Sequence, residues 1–319
     1  MIMTNAQWVN SIALIEFEEV AREEAMTKIW DWEKIYGDTG KTKEHEMKGY
    51  IWTAFGLPHE RNYGEDIQTE TMEEVGDWTL YDTEIALGAD IDDKLLEDLR
   101  HISQKEFLNG MGTGFGESYA QAKSIYANVP FERAFSAVVQ TMWDGGALCG
   151  TRTLLDNTTW SNVIGGGSPS WSRIWDMIDV LKLDQRTQKG LKQRGKMTQL
   201  MVHESQERDI PRMLNQEYEF DGFVSTGDVT TTSVSSKNKN SLSGKGIQIV
   251  YNQELSDENV MFGFGKKSHK NFKFKMRKNM STAWQFDGGK RNRTRSVFTH
   301  CRFMTGVTHF IDVVGAPSS

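Results

Sequence analysis

The run Asn128-Val129-Pro130-Phe131-Glu132-Arg133-Ala134-Phe135-Ser136, followed shortly by Trp143-Asp144-Gly145-Gly146-Ala147-Leu148-Cys149, decides how this chain is read. Tyr119, Ala122, Ile125, Tyr126, Val129, Ala134, Phe135, Val138 and Val139 recur at the i, i+3, i+4 spacing of one helix face. The spacing predicts a long helix over 117–142, bent at Pro130, which has no backbone N–H to give. Trp143-Asp144-Gly145-Gly146 then reads as a turn, and Leu148 to Thr153 as extended chain.

Upstream, Gly110, Gly112, Gly114 and Gly116 form a G-x-G-x-G-x-G run. It lacks the strand and glycine spacing of a dinucleotide loop and the Gly-Lys-Ser/Thr end of a P-loop, so it reads as a flexible hinge between two helices. Asp90, Asp92 and Asp93 precede Leu95, Leu96 and Leu99, the acidic first turn of a helix running to Asn109. No further ligand closes a metal site around them. Over Ser11 to Tyr36, Ile12, Ile15, Val20, Ile29 and Ile35 alternate with glutamates, as in an amphipathic helical arm. Between Gly37 and Gly88 that period gives way to isolated aromatics among Gly, Thr and charges. Such a polar excursion reads as a long β-hairpin reaching toward another chain.

Downstream, Gly165-Gly166-Gly167 marks a boundary, and Ser168-Pro169 starts a helix with Trp171, Ile174, Trp175, Ile178 and Leu181 on one face. Met197 to His203 reads as a buried strand followed by a helix over Glu204 to Leu214, and 222–244 as a mobile Ser/Thr/Asn-rich loop. Further strands are expected over 246–251, 260–265, 272–278, 280–287 and 294–303, with Gly288-Gly289 as a hairpin turn.

The 319 residues are 38% hydrophobic and 25% charged, a globular composition with length for two lobes. No window has the ~18 apolar residues of a membrane span, and no basic-then-apolar leader opens the chain. Cys149 and Cys301 have no metal-ligand spacing and fit a reducing compartment. His203-Glu204 starts like a zincin motif but lacks its second histidine, and no hydrolase, P-loop or kinase set occurs. Cys149 reads as a small buried residue rather than a nucleophile. No enzyme, cofactor or metal is expected.

Charge is unevenly spread. Residues 1–100 hold 9 Lys/Arg against 24 Asp/Glu, whereas residues 260–319 hold 12 against 2. Phe272, Phe274 and Met276 alternate with Lys273, Lys275 and Arg277, giving a strand with one apolar and one positive face. With Lys278, Lys290, Arg291, Arg293 and Arg295 these form a basic surface that faces either packaged DNA or an acidic neighbouring copy. Complementary charge between identical subunits favours the neighbour, and both can hold at once. An oligomeric DNA-binding protein using these strands is the alternative reading.

The order of parts resembles the major capsid proteins of tailed double-stranded DNA phages and related archaeal viruses, which share the Johnson capsid fold. The resemblance rests on the two runs quoted first, on Thr158-Thr159-Trp160-Ser161-Asn162, on the strand Thr198 to His203 and on Gly306-Val307-Thr308-His309-Phe310-Ile311. Cys149 stands where an aromatic is usual, and Arg152 to Leu155 where a Ser-x-x-His-Pro turn is common. The resemblance implies an α+β fold: an N-terminal arm (1–35), an extended loop (36–88), a peripheral domain with a spine helix (89–166), an axial domain (167–267) and C-terminal strands returning to the peripheral domain (268–319).

It further implies self-assembly into hexamers, pentamers and an icosahedral shell around double-stranded DNA, in a virion assembled in the host cytoplasm. The expected partners are a separate scaffolding protein, a portal and a cement protein, with no membrane. Some family members join subunits through a loop Lys and a neighbour's Asn. Lys41, Lys43 and Lys48 lie on the loop, but no matching Asn or acid is identified, so that activity is not carried over.

Overall fold

The computed structural model describes residues 14–27, 31–55, 58, 60–61, 66–67, 69–92, 98, 101–136, 142–215, 218–219, 238–239, 242, 245–286 and 294–318. Its helices are α1 (Leu14–Thr27), α2 (His101–Glu132), α3 (Trp171–Asp179) and α4 (Asp209–Asn215). Its first five strands are β1 (Glu46–Trp52), β2 (Glu74–Tyr81), β3 (Thr83–Asp92), β4 (Thr151–Thr153) and β5 (Thr159–Ser161). They are followed by β6 (Met197–His203), β7 (Tyr218–Glu219), β8 (Asn238–Lys239) and β9 (Gln248–Asn252). The last four are β10 (Met261–Gly265), β11 (Phe272–Phe286), β12 (Thr294–Val307) and β13 (Val313–Ala316). The mixed helix-and-sheet class expected from sequence is the one observed.

Two sheets and α2 make the body. In the first, antiparallel β11 and β12 run from Phe272 opposite Val307 to Phe286 opposite Arg295, and β3 is added along β12. The strands expected at 272–278 and 280–287 are one strand, carried past irregularities between Met276 and Ser281, because bulges absorb extra residues without ending a ladder. The Gly288-Gly289 turn lies outside the described residues, as does nearly all of the expected 222–244 loop. Phe272, Phe274, Val297, Cys301 and Phe303 point inward beneath α2, whose Tyr119 hydroxyl donates to the Thr299 carbonyl.

The second sheet has the order β13-β10-β6-β9, with β6 and β9 parallel and the other pairs antiparallel. It is covered on both faces, so its strands read as unbroken apolar runs rather than alternations. Leu200, Val202, Met261 and Val314 face α3 with Ile174, Met177 and Ile178. Met201, Val250, Phe262, Phe264 and Val313 face the other way, toward Phe131 and Phe272. The α3 helix is capped by Ser170 rather than Ser168, its side chain accepting from Arg173 N.

Three expectations are corrected. Asp90 and Asp92 lie in strand β3, not in a first helical turn: pairing with β12 takes the segment, burying Ile91 and leaving both aspartates outside. Asp93 lies outside the described residues. The glycine run is no hinge but the middle of α2. Phe17, Ala21 and Ala25 of α1, one helical face, are buried against it, and a Cβ at Gly116 would stand 2.6 Å from the Ala21 carbonyl oxygen and 2.7 Å from Glu24 Cβ. Glycine here serves close approach between helices. Finally, α2 ends at Glu132, two residues beyond Pro130, instead of continuing to Met142.

Candidate assembly surface

The sequence-predicted basic face lies on the outer side of β11, and its first three cations have partners in their own chain. The segment 38–42 runs parallel to β11, with Phe274 N donating to Asp38 O at 3.0 Å, Met276 N to Gly40 O at 3.1 Å and Thr42 N to Met276 O at 2.9 Å. This register sets the Asp38 carboxylate between Lys275, which donates to it, and Lys273, 3.6 Å away.

At the far root of the hairpin, Asp82 accepts from Arg277 and pairs with His45, and Asp82 N donates to His45 O at 3.1 Å. The Asp82 side chain is only 5% exposed. Burial pushes the pKa of both carboxylates up, but the hydrogen bonds and charges of the cations outweigh it: Lys275 and Lys273 hold Asp38 below its ordinary value, and Arg277 with His45 does the same for Asp82.

Lys278 is exposed, its Nζ 2.5 Å from His300 Nε2. Arg295 pairs through its backbone with Ile91 and Phe286. Lys290, Arg291 and Arg293 lie outside the described residues. Sequence reasoning missed Asp38 and Asp82, since single aspartates far from the lysines carry no local signal of pairing.

From these roots β1 and β2 rise as an antiparallel pair, Glu46 opposite Tyr81 and Trp52 opposite Glu74. One face, that of Ile51 and Thr53, turns to the body across a cavity of about 350 Å3 whose far wall includes Thr187, Gln188, His309 and Ile311. Glu70 meets Lys189 at 3.2 Å. The other face is open, with Lys48 exposed, Tyr50 58% and Trp52 51% exposed, and Phe55 beyond them 57%.

His309 is nearly buried beside this cavity. Its Nδ1 accepts from Ile311 N at 3.1 Å, and its Nε2 lies 3.2 Å from the Gln188 side-chain nitrogen. Burial pulls its pKa down to about 4, against the opposing pull of Asp144 and with a smaller contribution from Arg152.

Among the described residues no three His, Cys, Asp or Glu are grouped to hold a metal ion, and no helix is long and apolar enough to cross a membrane. Cys149 and Cys301 are buried, and burial pushes each thiol up to about 12, so neither is a thiolate near neutral pH.

The architecture is the phage major capsid fold. The chain is similar to the capsid of the native GTA particle (TM-score 0.53, 10% identity, 90% of each chain covered). It is similar as well to a structure from Mycobacterium phage Adephagia (TM-score 0.51, 10% identity, 91% of this chain and 90% of that one). The capsid of the Cyanophage P-SCSP1u matches too (TM-score 0.51, 10% identity, 89% and 87%). At such identity the likeness is one of fold. No protein-family model matches the chain, and no curated protein is similar to it in sequence.

Proposed function

We propose that this chain is a major capsid protein, a structural subunit that assembles with copies of itself into hexamers and pentamers and then an icosahedral shell around double-stranded DNA. The observation that carries the reading is the open face of the β1–β2 hairpin: Tyr50 and Trp52 are more than half exposed on an excursion pinned at both roots. Large aromatics held on a fixed strand and left wet are a poor arrangement for a lone molecule and a good one for a contact.

On this reading the chain divides into arm (1–35), extended loop (36–88), peripheral domain (89–166), axial domain (167–267) and returning strands (268–319). Lys273, Lys275 and Arg277 brace the loop, while Lys278, Lys290, Arg291, Arg293 and Arg295 meet an acidic neighbour or the genome. A scaffolding protein, a portal and a cement protein complete the virion, which is built in the host cytoplasm. Light scattering and negative-stain microscopy of the purified chain test the reading. Rings of five or six and closed shells are expected, and monomers alone over wide ranges of concentration, salt and scaffold supply would overturn it.

A DNA-binding protein that uses the same basic strands is supported by their positive charge. It is the weaker reading because Lys273, Lys275 and Arg277 are already matched by Asp38 and Asp82, which leaves fewer free cations for phosphate.

A further inference from the structure

The segment 182–196, between α3 and β6, holds six Lys or Arg against Asp184 alone. It is folded tightly: Gly190 N donates to Thr187 O at 3.0 Å, Gln193 N to Gln185 O at 2.8 Å and Gly195 N to Leu181 O at 3.0 Å. Two of its cations are used within the chain, Arg186 on the Gly190 carbonyl and Lys189 on Glu70. The other four, Lys182, Lys192, Arg194 and Lys196, are exposed and have no ion pair among the described residues. Exposure alternates from Leu191 to Lys196, so Lys192, Arg194 and Lys196 stand on one side of an extended stretch.

The second sheet brings further charge to the same place. Met197, the first residue of β6, pairs with Gly265, the last of β10, so Lys196 and Lys266 leave adjacent antiparallel strands at one end of the sheet. Asp312 ties the two segments together: its Oδ2 accepts from Lys267 N at 2.9 Å, and its Oδ1 lies 3.3 Å from where a Cβ would stand on Gly195. The bond from Gly195 to Leu181 sets Lys182 beside them. Lys266 and Lys267 are exposed and again have no ion pair among the described residues. Next to Lys182, Lys245 Nζ lies 3.6 Å from the centre of the Trp175 ring, and burial and then Lys182 lower its pKa against the pull of Asp179. The nearby carboxylates are exposed Asp184 and buried Asp312, too few to balance the cluster. On a chain with a net charge of -7, this is a local positive field that repels itself until an anion covers it.

We propose that this end of the second sheet, through Lys182, Lys192, Arg194, Lys196, Lys266 and Lys267, binds the phosphate backbone of double-stranded DNA without regard to sequence. The residue types select the partner. Protein contacts are rich in aromatics and poor in lysine, as the face of Tyr50 and Trp52 is, and single strands are held by aromatics that stack on bases. At this end Leu183 is the exposed large apolar residue among those described. The rest is charge, which suits a duplex carrying a negative charge about every 1.7 Å along its axis. None of the six is matched by Asp38 or Asp82, and the proposal holds whether or not the chain builds a shell.

Anisotropy of short labelled duplexes of two unrelated sequences, titrated with the full chain at several salt concentrations, tests it. Both duplexes should bind alike, with Kd about 1–100 µM near physiological salt, and more weakly as salt rises. Arg194→Gln with Lys196→Gln should weaken binding about tenfold or more and flatten the slope of log affinity against log salt by about 2. Lys266→Gln with Lys267→Gln, on the other strand, should do the same, and it decides alone if the first pair melts lower than wild type. Lys290→Gln with Arg291→Gln is the comparison from the other basic stretch. The proposal is overturned if neither duplex binds at low salt up to about 100 µM chain, if one sequence is strongly preferred, or if the comparison pair loses binding that the patch variants keep. It is equally overturned if the patch variants keep their duplex affinity but lose self-association in light scattering without DNA, which assigns the patch to an acidic face of a second copy. Shell formation is read separately by microscopy, so failure of either reading leaves the other standing.

Discussion

Asp82 is one carboxylate held by groups from two places, His45 before β1 and Arg277 on β11, and almost no water reaches it. Removing its charge leaves a half-buried guanidinium without its acceptor, so Asp82→Asn should destabilise the chain by about 1–3 kcal/mol. Hydrogen exchange should then quicken in β1 and β2 before α2. Glu84→Gln, which breaks the exposed pair with Arg302, should cost no more than about 1 kcal/mol; equal effects in urea melts would contradict the assignment of Asp82 as the pin.

Acid acts on these groups in two stages. His309 stays neutral in the folded chain down to about pH 4, whereas the unfolded chain takes up a proton near pH 6.5. Its contribution is therefore complete above pH 6.5 and shrinks as pH falls toward 4, by about 3 kcal/mol at most. Asp38 and Asp82, with pKa values below the usual carboxylate range, keep their contribution above about pH 4 and lose it at lower pH. A His309→Gln variant should show a flatter stability profile between pH 6.5 and 4 and an unchanged loss below that; a profile parallel to wild type would refute the titration of this histidine.

Among the elements, α1 and α2 offer a pair of substitutions with opposite signs. Gly114 has open space where a Cβ would go, so Gly114→Ala should stabilise the helix by about 0.5–1 kcal/mol. Gly116→Ala drives a methyl into the α1 backbone and should lower the melting temperature despite the same gain in helix propensity; melting curves of the two variants, moving in opposite directions, check the packing. The same contrast explains what could be read in the sequence. Apolar period announced α2, α3 and β6, and alternation announced β11, because each buries its own pattern. The glycine run and the aspartates Asp90 and Asp92 misled because their roles are set by distant partners, α1 in one case and β12 in the other. The hairpin was legible from its lost period, while its pins at Asp38 and Asp82 and its seat near His309 were not, since pairing over such sequence distances leaves no local trace.

For the molecule as a whole, the open hairpin face gives the sharpest test of assembly. Tyr50→Ser with Trp52→Ser removes exposed apolar surface, so the isolated chain should keep its unfolding free energy within about 0.5 kcal/mol while rings and shells fail to form by microscopy. Unimpaired shells would remove this face from the contact. Reversing Lys273, Lys275 and Arg277 to Glu now has a different expected outcome from reversing Lys290, Arg291 and Arg293. The first set unpins the hairpin within the subunit and should speed exchange in β1 even before assembly, whereas the second should act only on shell yield or DNA content.

The sheet that carries α3 on one side and Phe131 with Phe272 on the other has a mechanical consequence. Because β10 sends alternate side chains into both cores, pulling the lobes apart means tearing one strand out of two packed interiors at once. On the proposed reading each copy would be a stiff tile, since among the described residues the two cores share this sheet. Curvature in a wall built from such tiles would have to be taken up at the joints between copies and along the hairpins that cross them, and internal pressure would load those joints before it bent the tiles.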